Sequence, residues 1–376
     1  MDNYLFLYLK TGGGHLAPAK AVAKKITETA RHRVNIELVD GLAEANPIIR
    51  NSIEDGYKNS VNHARWFYAG LYAAHKNPLV ARVSAAIVSR FVSPYLERQI
   101  IEKKPAKIVI FHFFLVEPVF GILERNGLSI PVLTVVTDPF TAHPIWFLRP
   151  GQNYVVFSQE LRRECLARGI PGEKLQVFPF ALDEKFSRQL TDVEKVGTRL
   201  QLGFDLGRKI ILIMGGGDGM PRGAEILRNV AARNLDAQVA IVCGKNRKLL
   251  AEATRIKQRH GLENLKVYGY VDFVHSLIGI SDVVITKCGA STFMEILMMG
   301  KVLIINNYIW EQEKGNMEFV CSSGMGVYEE SPARLPELLG ELFADNSMLD
   351  SLRDNIRNAS LLNGTAQVSE YILNFN

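Results

Sequence analysis

Short runs of Val, Ile, Leu and Phe alternate with stretches of helical periodicity along almost the whole chain, a pattern that predicts parallel β/α units. In a first series the strands are read at Tyr4 to Leu9, Asn35 to Val39, Lys107 to Phe113, Val132 to Thr137, Asn153 to Phe157 and Leu175 to Phe178. The stretch PFALDEKF, 179 to 186, interrupts the alternation with a proline and a polar run and marks a hinge. A second series follows at Lys209 to Met214, Gln238 to Cys243, Leu265 to Tyr268, Asp282 to Lys287 and Val302 to Asn306. The predicted fold class is α/β, with two Rossmann-like, doubly wound parallel-sheet domains over 1–183 and 184–361 and a last helix at about 362–376 packing back on the first.

In such sheets ligands bind beyond the carboxyl ends of the strands, so the segments that leave strands there carry the candidate chemistry. TGGGH, 11 to 15, brings Gly13, Gly14 and His15 to the start of a helical pattern. At the positive end of a helix an imidazole has its pKa lowered and stays neutral near pH 7, the state a general base needs; a histidine that caps or packs the first turn is the alternative. TDPFTAHPIWF, 137 to 147, offers Asp138 as a group assisting the base, and His143 and Trp146 as walls of an acceptor pocket or as packing. GGGDGM, 215 to 220, reads either as a site of close ligand approach at Gly215, Gly216 and Gly217 or as a plain strand-helix turn. The basic residues of CGKNRKL, 243 to 249, read by default as a solvated helix start. KCGAST, 287 to 292, places Gly289, Ala290, Ser291 and Thr292 where first-turn amides would cradle a diphosphate, with Ser291 or Thr292 as cap. Glu295 satisfies two readings on spacing, a capping box with Thr292 or a carboxylate for ribose hydroxyls.

Charge changes the picture in one region. Residues 1–183 hold 22 Lys and Arg against 16 Asp and Glu, and the remainder 22 against 23. Within the first part, 57–96 contains no acidic residue but does contain Lys58, Arg65, Lys76, Arg82 and Arg90 among Tyr57, Trp66, Phe67, Tyr68, Tyr72, Phe91 and Tyr95. That segment reads as a surface for an anionic membrane or as two amphipathic helices within the first domain. The cysteines at 165, 243, 288 and 321 are too scattered for a disulfide framework or a zinc site, and a reducing cytosol is expected. No leader is apparent, and no continuous apolar run reaches the ~18 residues of a spanning helix. GGGH followed by Leu-Ala-Pro lacks the G-x-G-x-x-G spacing of dinucleotide enzymes.

Taken in order, TGGGH, TDPFTAHPIWF, GGGDGM, CGKNRKL, VYGYV, DVVITKCGASTFMEIL and EQEKGNMEFV resemble the monogalactosyldiacylglycerol synthases of plants and their bacterial relatives, the diacylglycerol glucosyltransferases. The peptidoglycan lipid-intermediate N-acetylglucosamine transferase is a more distant likeness. The resemblance implies a GT-B fold, two domains facing across a cleft, and transfer of a hexose from UDP-glucose or UDP-galactose to diacylglycerol with inversion. By the same resemblance Tyr270 and Val271 lie against the uracil, Gly289 to Thr292 hold the diphosphate, Glu295 holds the ribose, Gln312 and Glu313 contact the donor sugar, and His15 falls on the catalytic position. The chain departs from the family at Leu16, where many relatives have a basic residue, and at Ala290-Ser291 in place of Pro-Gly. No metal, cofactor or nucleic acid is expected, and the expected place is the cytoplasm, peripheral on the inner face of the cell membrane. The competing readings are a UDP-sugar transferase or epimerase for a soluble or other lipid-linked acceptor, and a non-catalytic nucleotide-sugar-binding protein.

Overall fold

The computed structural model describes residues 1–10, 13–45, 50, 70, 73–233, 235–309, 311–344 and 346–376. Thr11 and Gly12, and Tyr57, Lys58, Arg65, Trp66, Phe67, Tyr68 and Tyr72 of the acid-free segment, lie outside the described residues. The chain forms two units: Met1–Asp183 with Trp310–Gln312 and Asn363–Asn376, and Glu184–Ile309 with Glu313–Leu362.

The first unit is built on a parallel sheet of β1 (Asp2–Tyr8), β2 (Val34–Asp40), β3 (Lys107–Ile110), β4 (Val132–Val135), β5 (Asn153–Val156) and β6 (Leu175–Val177), in the order β2-β1-β3-β4-β5-β6. Leu5 pairs with Glu37 on one side and Ile108 on the other, which makes β1 central and explains its unbroken buried run. The strand expected over Lys107 to Phe113 stops at Ile110. Phe113 instead begins a short 3-10 turn, Phe113–Leu115, capped by the His112 side chain. Its apolar residues pack around that turn and not in the sheet.

The last segment of the chain is clamped onto this unit. Asn363 bonds Leu182 in both directions, at 3.1 and 2.8 Å, and Gly364 donates to the carbonyl of Phe180 at 3.0 Å. A Cβ at Gly364 would lie 1.9 Å from the carbonyl oxygen of Pro179, so only glycine fits. The helix Thr365–Asn374 then lies along the helix Gly13–Thr29, and the buried ammonium of Lys107 donates to the Ile372 carbonyl at 2.6 Å, at the negative helix end.

The helix Pro78–Lys103 is the longest described element of this unit. It is, among the described residues, long and apolar enough by length and composition to cross a membrane, although serines, alanines and arginines break its apolar runs. Asn77 caps it by accepting from the amide of Leu79 at 2.9 Å, with proline at the first position. Ala81, Ala85, Val88, Val92, Leu96 and Ile100 form its inner face and sit in the core of the unit. On the outer face Leu79, Val83, Ile87 and Phe91 recur every four residues, all exposed, beside exposed Arg82 and Arg90.

The second unit repeats the design with β7 (Lys209–Met214), β8 (Ala237–Val242), β9 (Leu265–Tyr268), β10 (Val283–Lys287), β11 (Val302–Asn307) and β12 (Gly326–Tyr328), all parallel in the order β12-β11-β10-β7-β8-β9. The three-residue edge strand β12 carries no periodicity and was not expected. Asp282 ties the amino ends of this sheet together: Ile210 N donates to it at 2.9 Å, the Arg353 guanidinium at 2.9 Å, and Arg199 lies at 3.5 Å.

Candidate active site

In each unit the strand order reverses at one place, between β1 and β3 in the first and between β10 and β7 in the second. Loops leaving the carboxyl ends of strands at such a reversal part to opposite faces and leave a crevice. Most of the residues singled out by sequence leave strands beside these two places, while Tyr270 and Val271 follow the edge strand β9.

In the first unit Gly13, Gly14 and His15 form the first turn of the helix Gly13–Thr29. A Cβ at either glycine would meet nothing within 4 Å, so their freedom leaves open space in front of the helix. His15 is buried, and its Nδ1 lies 2.5 Å from the hydroxyl of Thr137. Burial pushes its pKa below the ordinary value; the charge of Asp138 and the main chain of Phe111 pull weakly the other way. The ring is therefore neutral at pH 7.

Thr137 was not singled out from sequence, although it is the first polar residue beyond β4. It, and not Asp138, holds the ring nitrogen. Asp138 accepts from Trp146 Nε1 at 2.8 Å and from the side-chain amide of Gln312 at 3.2 Å, and reaches His15 through its field. The expectation that Trp146 and His143 wall an acceptor pocket is corrected. Trp146 has no exposed surface and His143 is buried, its ring stacked on Phe113 at 4.6 Å and 10°. They pack and fix the loop, the alternative that the loop sequence had left open.

His112 also escaped attention. Its ring lies 4.4 Å from that of His15 and 4.5 Å from that of Phe113. Beyond Phe113, His143 meets His75 at 5.1 Å, and His75 Nε2 lies 2.8 Å from the Ser84 hydroxyl. Burial pushes His112 well below the ordinary imidazole pKa and His143 down to about 3. The first polar residue after β3 was the available signal, hidden by the aromatic run FHFF.

In the second unit the glycine loop after β7 folds on itself. A Cβ at Gly215 would lie 2.4 Å from the Gly219 carbonyl oxygen, and Gly216 has φ +79°, so both are required by the loop's own backbone. At Gly217 a Cβ would meet nothing within 4 Å, which makes it the glycine of the three that faces open space. Gly217 also accepts from the amide of Lys245 at 2.8 Å, and the Lys245 ammonium stands 5.7 Å from the ring centre of Tyr270, itself 68% exposed.

The helix Ala290–Met298 begins three residues earlier than a capping box on Thr292 requires. Gly289 is its N-cap and no side chain caps it, so neither Ser291 nor Thr292 does so and the Thr292–Glu295 box is not formed. First-turn amides of Ala290 and Thr292 have no carbonyl of their own helix to bond. A Cβ at Gly216 would come 3.5 Å from Thr292 Oγ1, which places the glycine loop directly against this helix start. Lys287 lies 3.3 Å from Glu313, whose other oxygen accepts from the Ile309 amide at 2.8 Å. Glu313 is thereby held beside Gly289, where an added Cβ would lie 2.9 Å from Lys287 Nζ. Val271 and Glu295 are half-buried at the same end of the sheet. Among the described residues no three His, Cys, Asp or Glu side chains are grouped to hold a metal ion.

Comparison with known proteins converges on one family. Residues 15–180 match the monogalactosyldiacylglycerol (MGDG) synthase family and residues 210–361 the glycosyltransferase family 28 C-terminal domain. The chain is 30% identical to monogalactosyldiacylglycerol synthase 2, chloroplastic, of Arabidopsis thaliana over 94% of its own length and 77% of that protein's. It is 27% identical to the chloroplastic synthase of Spinacia oleracea, over 90% and 66%. Among solved structures, MurG of Acinetobacter baumannii has a TM-score of 0.60 at 17% identity, covering 99% of each chain. HepE of Anabaena, crystallised with UDP-glucose, has 0.59 at 12%, covering 99% and 98%. These likenesses identify the fold as GT-B. On sequence and fold together, this chain is a glycosyltransferase that belongs to the monogalactosyldiacylglycerol synthase family.

Proposed function

We propose that the protein transfers a hexose from a UDP-sugar to diacylglycerol with inversion, and that His15 is the general base. The observation that carries this reading is a neutral, buried imidazole at a helix start, held by Thr137 and bordered by open space at Gly13 and Gly14. In this reading Nδ1–H donates to the Thr137 hydroxyl and Nε2 keeps its lone pair. That lone pair takes the proton of the lipid hydroxyl as the oxygen attacks the anomeric carbon from the side opposite the diphosphate. The amides at the start of the helix Ala290–Met298 offer about half a positive charge to the leaving diphosphate, so no metal ion is needed. Glu295 binds the ribose, Tyr270 and Val271 flank the uracil, and Gln312 and Glu313 reach the sugar.

We place the enzyme in the cytoplasm, on the inner face of the cell membrane. The stripe of Leu79, Val83, Ile87 and Phe91 with Arg82 and Arg90 supports this, each arginine contributing about 1 kcal/mol near an anionic surface. Diacylglycerol vesicles incubated in parallel with UDP-glucose and UDP-galactose, with products identified by mass and anomeric configuration by NMR, test the activity. A β-linked glycolipid formed in the presence of EDTA and abolished in His15→Ala is the expected result. Transfer that survives the substitution, or an α-linkage, refutes the mechanism. Vesicle sedimentation that is unchanged in Arg82→Gln/Arg90→Gln and insensitive to anionic lipid refutes the membrane surface.

A further inference from the structure

The rings of His15, His112, Phe113, His143 and His75 follow one another inside the first unit, with successive centroids 4.4, 4.5, 4.6 and 5.1 Å apart. Four histidines side by side in a buried place would be untenable if they charged together. Two of them carry a device that prevents it. His112 is the N-cap of the turn Phe113–Leu115, its Nδ1 accepting from the Phe114 amide at 3.2 Å. His143 is the N-cap of the turn Pro144–Phe147, its Nδ1 accepting from the Ile145 amide at 3.3 Å. A nitrogen that accepts a hydrogen bond carries no proton, so both imidazoles are in the neutral Nε2–H form, and charging either one would break its own cap.

We infer that His112 is a positioning residue for His15: an imidazole held neutral by its cap bond and packed on the base, so that the base stays dry without a second positive charge beside it. The inference rests on the reading of His15 as base. Among the described residues, the groups that face His15 are Thr137 and Asp138 after β4, the Phe111 main chain and His112 after β3, and the rings of Phe113 and Trp146. Asp138 is the charged one among them, and its carboxylate is shared with Trp146 and Gln312. His112 in turn faces His15 and His143, and His143 faces His75. A neutral ring on His15 displaces water that would otherwise solvate the imidazolium. A smaller polar side chain there would let that water return.

Two substitutions separate the cap from the packing. Asparagine at 112 keeps a capping oxygen but removes the ring, and phenylalanine keeps a ring but removes the cap. In the full-length enzyme with labelled histidines, His112→Asn should raise the NMR titration of His15 by about one pH unit. The acidic limb of kcat/KM, measured with diacylglycerol vesicles and the accepted UDP-hexose, should move with it. His112→Phe should leave both in place while lowering thermal stability. The inference is overturned if His15 titrates unchanged in His112→Asn, or if His112→Phe moves it as far. Should the NMR titration move while the kinetic limb stays, the positioning role stands and His15 is not the base.

Discussion

Acidification from pH 7 to about 4.5 should remove about 2.7 kcal/mol of stability from the first unit through His143 alone. The unfolded chain binds a proton at this side chain with the ordinary affinity, near pH 6.5, whereas in the fold burial and the neighbouring His75 push the pKa down to about 3. Between those values the unfolded state holds more protons, so stability is full above pH 6.5, falls by about 1.4 kcal/mol per pH unit below it, and levels off near pH 3. Two units of descent give the figure above, or roughly 5–10 °C in the melting of a unit of this size. Asparagine at 143 removes the titration and keeps an oxygen for the Ile145 amide, the hydrogen bond His143 makes in the native turn. Thermal melts followed by tryptophan fluorescence, each protein referred to its own value at pH 7, should show His143→Asn losing less than the wild type at every acidic pH. Parallel curves would refute the assignment of a neutral, capping His143.

Further outcomes follow from the same contacts. Thr137→Val removes the hydroxyl on His15 Nδ1; kcat should fall roughly 10- to 100-fold with KM for the sugar nucleotide nearly unchanged in steady-state assays. Gly364→Ala sets a methyl group against the Pro179 carbonyl and should cost about 2–4 kcal/mol in urea unfolding of the first unit. Asp282→Asn strips the charge facing Arg353 and Arg199; a loss of about 3 kcal/mol, confined to the second unit, is expected by hydrogen exchange.

The sheets were legible because strands covered on both faces are apolar without interruption, as Leu5 to Leu9 and Ile210 to Met214 are. The same signal misled where apolarity served another end. FHFF continues β3 in composition, but its aromatic rings pack a histidine cluster. Trp146 looked like a surface for lipid because aromatics after a proline loop suit one, yet its indole is consumed as a donor to Asp138. Which of two adjacent polar residues, Thr137 or Asp138, meets a histidine 122 positions away depends on the direction in which each leaves the end of a strand. No spacing encodes that. The capping-box reading of Glu295 failed for a similar reason, since Gly289, three residues before the threonine, takes the N-cap position instead.

The clamp between 179–182 and Asn363–Gly364 gives the order of synthesis a role. The groove on the helix Gly13–Thr29 is filled only when the helix Thr365–Asn374 arrives, and Lys107 has no carbonyl to bind until then. While the chain is being made, the second unit can finish before the first. A tag or deletion at the carboxyl end of this sequence would therefore injure the half that holds His15 and spare the half that holds Glu295.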